Sequence, residues 1–437
     1  MCYIMKKRAC ANLSGRNRTA VDELKQEAKT ILQFTQTFVK WLIIAGVTGG
    51  IGGVVGSLFH LSVTWAAGMR AAYPWLLWLL PVGGLLIVGL YHAAKMENEN
   101  TNAIIDSIHF GDKVPLLLVP CIYLGTVITH LFGGSAGREG AALQIGGSLG
   151  CYIGRLFRLD EKDMRLATLC GMSAVFSALF GTPLTATLFA LEVISVGVFY
   201  YSALVPCIVA SLVAYGISRA FGIAPTRFAI LVEPLRTSLL LKVAVLAIAC
   251  SVMSIVFCMT MHATEHFLAK KIPNGYLRIF LGGAAVVALT LLVGTGDYNG
   301  AGMDVIQRAL EEGKAAPTAF LWKLVFTAIT IGCGFKGGEV VPTFFIGATL
   351  GCVLGPLLGI PAGFAAAIGL VCVFCGAVNC PIASIALSVE LFGSTELIYF
   401  ALACGVAYML SGYSGLYSSQ KILYSKLRAE FINIHAK

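Results

Sequence analysis

The feature that most limits this chain is a series of apolar stretches, roughly 37–69, 73–94, 115–132, 140–157, 167–194, 198–222, 237–264, 278–294, 318–333, 340–358, 361–392 and 397–412. A helix needs about 20 apolar residues to cross a bilayer's hydrocarbon core, and an unpaired backbone cannot cross it at all. Runs of this length and number imply an all-α integral membrane protein that crosses several times. Only 12% of the residues are charged and mean hydropathy is +0.83, whereas soluble domains carry about 25% charged residues. Some runs are too long for one span and others too short, so tilted, paired and broken helices are expected.

The polar ends set the orientation. The segment 1–36 carries Lys6, Lys7, Arg8, Arg16, Arg18, Lys25 and Lys29 against Asp22, Glu23 and Glu27, with Lys40 just beyond it. The segment 421–437 carries Lys421, Lys426, Arg428 and Lys437. Basic flanks face the cytoplasm, which predicts a multi-pass protein of the cell (inner) membrane with both termini cytoplasmic. The net charge of +9 then needs no nucleic acid to explain it. The first apolar run is too long for a signal peptide, so no cleaved leader is expected, nor a soluble regulatory domain after Tyr417. The 14 cysteines are scattered through apolar runs, and neither they nor the seven histidines show metal spacing. No metal or cofactor is expected.

The chain also repeats itself. Asn102 to Ile108 followed by Gly111, Lys113 and Pro115 resembles Asp304 to Leu310 followed by Gly313, Lys314 and Pro317. Gly137-Arg138-Glu139 resembles Gly337-Gly338-Glu339, and Ile145–Gly150 resembles Ile346–Gly351. Pro183 to Glu192 resembles Pro381 to Glu390. Four features in one order at an offset near 200 divide the chain into a first transmembrane repeat at 37–222, a linker at 223–236 and a second repeat at 237–420. Paired halves with glycine-interrupted short helices at matching places indicate a transporter whose ion site lies where the halves meet. The repeat alone leaves their relative orientation open.

The chemistry concentrates at Gly137-Arg138-Glu139-Gly140, a charged pair between two apolar runs. A helix that starts at such a turn aims its free N–H groups and the positive end of its dipole at the turn, which suits an anion. Glu139 is a second, tethered anion at that place, and competition between the two would make a gate. A structural ion pair is the plainer reading, but a charge inside a membrane is costly and usually functional. Glu339, matched to Glu139 by the repeat, is the second candidate. Glu192 and Glu390 each follow a proline by nine positions, and their shared placement predicts a structural role, accepting bonds from helix N-termini in the opposite half. Phe344 and Phe345 are expected to be packing residues.

These residues resemble a known family. Gly137-Arg138-Glu139-Gly140, Gly337-Gly338 with Pro342, and a late Tyr417 look like the signature of the CLC chloride channels and anion/proton exchangers, over roughly 40–420. The chain is more similar to one branch, the bacterial CLC-type fluoride/proton antiporters. That branch shares Gly-Arg-Glu-Gly followed by a small residue, Gly337-Gly338-Glu339-Val340, Leu191 through Gly197, and Ser411-Gly412 through Gln420. The resemblance implies a CLC-type fold of two inverted-topology helical repeats and a homodimer with one pore per subunit. It implies that Glu139 is the gating and proton-carrying glutamate, joined by Glu339. It also implies anion contacts around Gly137, Arg138, Gly140, Gly338, Val340 and Val341 and from the Tyr417 hydroxyl.

The chain also departs from its look-alikes. In the chloride/proton exchangers a second glutamate follows the Glu192 equivalent, and here that place is Val193. Val341 stands where the fluoride branch usually has threonine. Residues 97–102 replace the first anion-binding loop of the chloride members. The reading is therefore a transporter, not an enzyme, that exports fluoride in exchange for protons across a lipid bilayer. The alternative is a chloride channel or chloride/proton exchanger of the same fold. A membrane-embedded enzyme has no nucleophile–base pair or metal spacing in its favour.

Overall fold

The computed structural model describes residues 2–97, 99–111 and 114–437, with side chains from Gln26 onward. Asn98 and Lys113, which enter the sequence comparisons above, and the side chains of Lys6, Lys7, Arg8, Arg16, Arg18, Asp22, Glu23 and Lys25 lie outside the described residues. The first half contains α1 (Cys2–Ala72), α2 (Leu80–Ala94), α3 (Thr101–Phe110), α4 (Leu118–Leu131), α5 (Glu139–Leu156), α6 (Glu161–Phe180), α7 (Pro183–Glu192) and α8 (Leu204–Ala220). The second contains α9 (Thr237–Lys271), α10 (Gly275–Val293), α11 (Met303–Gln307, continued by a π turn), α12 (Ala319–Gly332), α13 (Val340–Leu357), α14 (Ala362–Val378), α15 (Pro381–Phe392) and α16 (Leu397–Leu410). Among the described residues seven helical segments are long and apolar enough to span a bilayer, and α4, α12, α14, α15 and α16 are shorter apolar helices. Residues 2–36, within the segment expected as a cytoplasmic N-terminal tail, are helical and run into the membrane helix as part of α1.

The halves pack alike. α5 lies on α6 as α13 lies on α14, and α1 contacts α6 and α8 as α9 contacts α14 and α16. The halves meet through α2 with α10, α7 with α15, and α5 with α13. Two reciprocal contacts give the relation its two-fold character. Gly137 and Gly338 exchange N–H···O bonds of 2.7 and 2.8 Å. Glu390 accepts from the Leu184 and Thr185 N–H groups at 2.9 and 2.8 Å, while Glu192 accepts from Ile382 and Ala383 at 3.2 and 2.7 Å. Each carboxylate thus caps the helix start of the other half, as their matched spacing predicted, and the halves are related by an approximate two-fold.

Long apolar runs break where the backbone turns left-handed just before a proline. α6 ends at Gly181 (φ 69°) ahead of Pro183, and α14 ends at Asn379 (φ 58°) ahead of Pro381. A left-handed cap followed by a proline that fits the first helical turn ends one helix and starts the next. The repeated glycines have a packing reason. A Cβ at Gly171 would overlap the Gly146 carbonyl oxygen and lie 2.8 Å from the Gly150 nitrogen, and a Cβ at Gly369 would overlap the Gly347 oxygen. Without a hydrophobic drive between helices in lipid, such close backbone approach supplies the packing.

The linker 223–236 runs without helix over one end of the molecule, and the Phe228 N–H donates to the Leu391 carbonyl at 2.9 Å. The segment 421–437 is ordered as β2 (Lys421–Tyr424) and β3 (Phe431–His435), paired antiparallel, with β1 (Ser195–Val196) parallel to β2. Val196, Ile422 and Ala436 form a small apolar cluster of their own, which explains why so short a polar segment holds a sheet.

The glycine packing is testable. Gly171→Ala should cost roughly 1–3 kcal/mol or more, because backbone atoms cannot yield as side chains do. Gly216→Ala, where a Cβ meets nothing within 4 Å, should be neutral. Thermal unfolding in detergent reads both; a wild-type melting temperature for Gly171→Ala would refute the packing account.

Candidate functional site

The reciprocal Gly137–Gly338 bond pair holds the starts of α5 and α13 together. α5 begins at Glu139 with Arg138 as its N-cap, and α13 begins at Val340 with Glu339 as its N-cap. The structural repeat therefore runs at an offset of 201 here, not 200. Gly137 is equivalent to Gly338, Arg138 to Glu339, and Glu139 to Val340. The expected pairing of Glu139 with Glu339 is corrected by one residue, and one step around a helix start changes the direction of a side chain.

Glu139 is completely buried. Its Oε2 accepts from the Arg138 N–H at 2.9 Å, and its Oε1 lies 3.6 Å from the Arg138 Nε. A Cβ on Gly137 would stand 2.5 Å from Oε2, so the carboxylate is folded back against that glycine. The Val341 N–H of α13 is also near the carboxylate. The carboxylate thus sits where two helix N-termini converge, a place suited to negative charge. Gly338 and Gly140 permit this approach: a Cβ on Gly338 would overlap the Gly140 nitrogen, and one on Gly140 would lie 3.0 Å from the Gly338 Cα.

Two polar cavities lie on either side. One, of about 480 Å³, is lined by Glu339, Tyr417, Lys336, Glu265, Thr101 and Gln144, among others. The other, of about 360 Å³, is lined by Arg138, Arg70, His60 and His130 with the loop 296–302. The two-fold relates them: His60, Thr64, His130 and Arg138 of one correspond to Met261, Glu265, Ile331 and Glu339 of the other, each pair 201 positions apart. Glu339 therefore faces the first cavity and Arg138 the second, with Glu139 between.

Tyr417 is buried and its hydroxyl has no hydrogen-bond partner among the described residues. The loop that carries it is fixed from several sides. Gln420 donates to the Val193 and Val378 carbonyls at 3.1 and 2.9 Å, and His262 meets the Gly415 carbonyl at 2.8 Å. Ser419 ties the loop to α3 through Asp106 at 2.7 Å. Residues 99–102, in the stretch whose part was not readable from sequence, bring the start of α3 to this cavity. Asn100 caps α3, and the Thr101 hydroxyl accepts from Gln144 at 3.0 Å, leaving its own hydrogen free to donate. Thr101 lies near the α5 start: a Cβ on Gly140 would be 3.7 Å from its oxygen. Val340 and Val341 are buried in the first turn of α13. Phe344 packs edge-on against Phe180 and Phe374, and Phe345 against Tyr298, as packing residues do.

Sequence reasoning missed Thr101, Lys336, Arg70 and Lys323. Lys323 has no exposure, and its ammonium donates to the Tyr298 and Gly300 carbonyls at 3.2 and 2.6 Å. A charged residue inside the apolar run 318–333 was the available signal.

The arrangement is that of a multi-pass helical membrane protein with two inverted halves, whose helix starts converge on a buried carboxylate between two vestibules. Residues 83–412 match the family described as Voltage gated chloride channel, and the chain belongs to that family. It is 40% identical over 396 residues to the "Chloride/fluoride channel protein" of Pseudomonas syringae pv. tomato, covering 89% of this chain and 87% of that one. It is 25% identical over 436 residues to the "H(+)/Cl(-) exchange transporter ClcA" of Salmonella paratyphi B, covering 93% and 91%. It superposes on a crystal structure of a CLC-type fluoride/proton antiporter with a TM-score of 0.84 and 33% identity, covering 88% of this chain and 98% of that one.

The convergence of α5 and α13 can be broken at one atom. Gly338→Ala should force the two helix starts apart, lower the melting temperature and cut anion efflux from liposomes at least about tenfold, in line with overpacking at a site that cannot relax. Normal efflux with a normal melting temperature would show that the close approach is dispensable.

Proposed function

We propose that this protein exports fluoride in exchange for protons, with Glu139 as the gate. The observation that carries the reading is the Glu139 carboxylate lying at the convergence of two helix starts while Glu339 faces the adjoining cavity. The fluoride/proton antiporter named above, 33% identical with nearly full overlap, and the chloride/fluoride relative at 40% support the choice of ion. Val193 is apolar and buried, so the position that holds a proton-relay glutamate in the chloride exchangers offers no carboxylate, and we assign the relay to Glu339, at the start of α13, with Glu265 on the same cavity wall.

The cycle follows from charge. Ionised Glu139 is held by the helix N-termini and by Arg138. Once protonated it loses that attraction, leaves the path and frees the N–H groups for an anion. Fluoride is small and strongly hydrated, so its site must replace water with several donors. The first turns of α5 and α13 around Gly140, Val340 and Val341, the Thr101 hydroxyl and the Tyr417 hydroxyl are the donors at hand, with Gly137 and Gly338 letting the backbones meet and Arg138 adding positive charge. The C-terminal strands pack beside the Tyr417 loop, so with both termini cytoplasmic the Glu339 cavity opens to the cytoplasm and the Arg70 cavity away from it. We read the working unit as a homodimer with one path per subunit in the inner membrane.

Selectivity decides between this reading and a chloride transporter. Liposomes loaded with fluoride should empty through this protein much faster than liposomes loaded with chloride; equal or faster chloride release would move the protein to the chloride branch. Coupling tests the two carboxylates. Under an outward fluoride gradient, Glu139→Gln should remain folded yet fail to drive proton uptake, followed by a pH-sensitive dye outside the vesicles. Glu339→Gln should impair the same coupled flux. Wild-type proton uptake in Glu139→Gln would sink the gate assignment, and in Glu339→Gln it would remove Glu339 from the proton path.

A further inference from the structure

The cavity on the Arg138 side holds groups that the exchange cycle does not use. Arg70, at the last turn of α1, has an Nε shielded from solvent with no hydrogen-bond partner among the described residues. A guanidinium carries five donors and no acceptor, and a buried donor left unpaired costs about 1–3 kcal/mol, more when charged. The backbone around it is shaped to admit it. A Cβ at Gly133 would lie 3.1 Å from the Arg70 Cδ, and one at Gly300 3.2 Å from its Nη2. Both glycines have left-handed φ, 86° and 59°.

The wall is held firmly. Lys323 clamps the Tyr298 and Gly300 carbonyls, the Gly300 N–H donates to the Gly134 carbonyl at 3.1 Å, and Asn299 Nδ2 donates to the Gly133 carbonyl at 2.8 Å. This ties the loop 296–302 to the turn that leads into Glu139. Of the acids nearby, Asp297 is engaged by Arg308 at 2.9 Å, while Asp304 lines the same cavity, close enough to act on the Arg70 charge, and makes no hydrogen bond to it among the described residues. His60 Nδ1 meets the Leu179 carbonyl at 3.1 Å.

His130 supplies the second sign of a ligand. It is 2% exposed, its Nδ1 lies 2.9 Å from the Thr126 carbonyl, and its Nε2 has no partner among the described residues. A carbonyl can only accept, so Nδ1 carries the proton, and in the neutral ring Nε2 is left as a bare acceptor lining the cavity. Two guanidinium groups beside one acceptor suit an anion that keeps a water: the arginines donate to the ion, and the water donates to both the ion and His130.

We propose that this cavity is a binding site for a small hydrated monovalent anion, held by Arg70 and Arg138 with its water on His130, through which the ion passes on the side of Glu139 opposite Tyr417. For fluoride as the ion, the proposal rests on the exchange reading above. Binding is tested by calorimetric titration of fluoride, and separately of chloride, into the purified full-length protein. Transport is tested by initial efflux rates from liposomes at increasing fluoride. Arg70→Met should abolish one anion-binding event and raise the half-saturating fluoride concentration several-fold, with an unchanged proton-to-fluoride ratio because Glu139 and Glu339 are intact. Arg70→Lys should restore part of the affinity. Unchanged titration in Arg70→Met would overturn the site, and so would equal loss in both variants accompanied by a lower melting temperature, which marks a packing role. A wild-type protein that moves no fluoride would refute the exchange reading instead, and the titration would still decide the site.

Discussion

The structure depends on one pair of backbone hydrogen bonds, the reciprocal exchange between Gly137 and Gly338. It forces the N-termini of α5 and α13 to converge. Both helices then present unpaired N–H groups and positive dipole ends to one small volume, and like ends repel. Such a convergence is stable only if something negative sits in it, and here that is the Glu139 carboxylate. The need for a counter-charge is thus set by the fold before any ion is considered. In the exchange cycle we propose, removing the tethered charge by protonation would transfer the need to a diffusible anion and so link proton and anion through one site.

Much of this was legible in the sequence because it was written twice. The repeat disclosed the two halves, the glycines of the close-packed helix pairs and the reciprocal caps by Glu192 and Glu390. Periodicity could not disclose direction, so the inversion came only with the resemblance and then with the geometry. The register at the centre was misread by one residue. Glycine is common on both sides of the turn, and aligning glutamate with glutamate looked better than aligning glutamate with Val340. The structure chooses otherwise because backbone pairing, not side-chain identity, fixes the equivalence.

The residues that sequence reasoning missed share a physical reason. At the 201 offset Lys323 and Thr101 fall opposite Ile122 and Gly302, partners of different chemistry, while Arg70 falls opposite Lys271, and none of the three lies in a local motif. Each matters through groups far away in the chain: Arg70 through Gly300, Lys323 through Tyr298, and Thr101 through Gln144. Lys323 was hidden inside an apolar run, although a lone charge there is itself a signal. The C-terminal sheet was equally silent, because its strands are short and one of its partners, β1, is only two residues long.

The two-fold that builds the site also makes its asymmetry meaningful. Equivalent positions open to opposite vestibules but carry opposite chemistry: Arg138 answers Glu339, Thr64 answers Glu265, and His130 answers Ile331. One vestibule therefore carries Arg70 and Arg138 with Asp297 and Asp304, and the other Glu97, Glu99, Glu265 and Glu339 with Lys336 and Arg278, although the backbone frame is shared. An anion approaching the acidic vestibule meets Glu97 and Glu99 at its watery rim, where salt screens them beyond about 8–10 Å. Deeper in it meets donors, the Thr101 and Tyr417 hydroxyls and Lys336. A proton approaching from the same side has Glu265 and Glu339 on the cavity wall as acceptors. A symmetric scaffold thus gives its two mouths unlike linings, and in the cycle we propose anion and proton would meet only at Glu139.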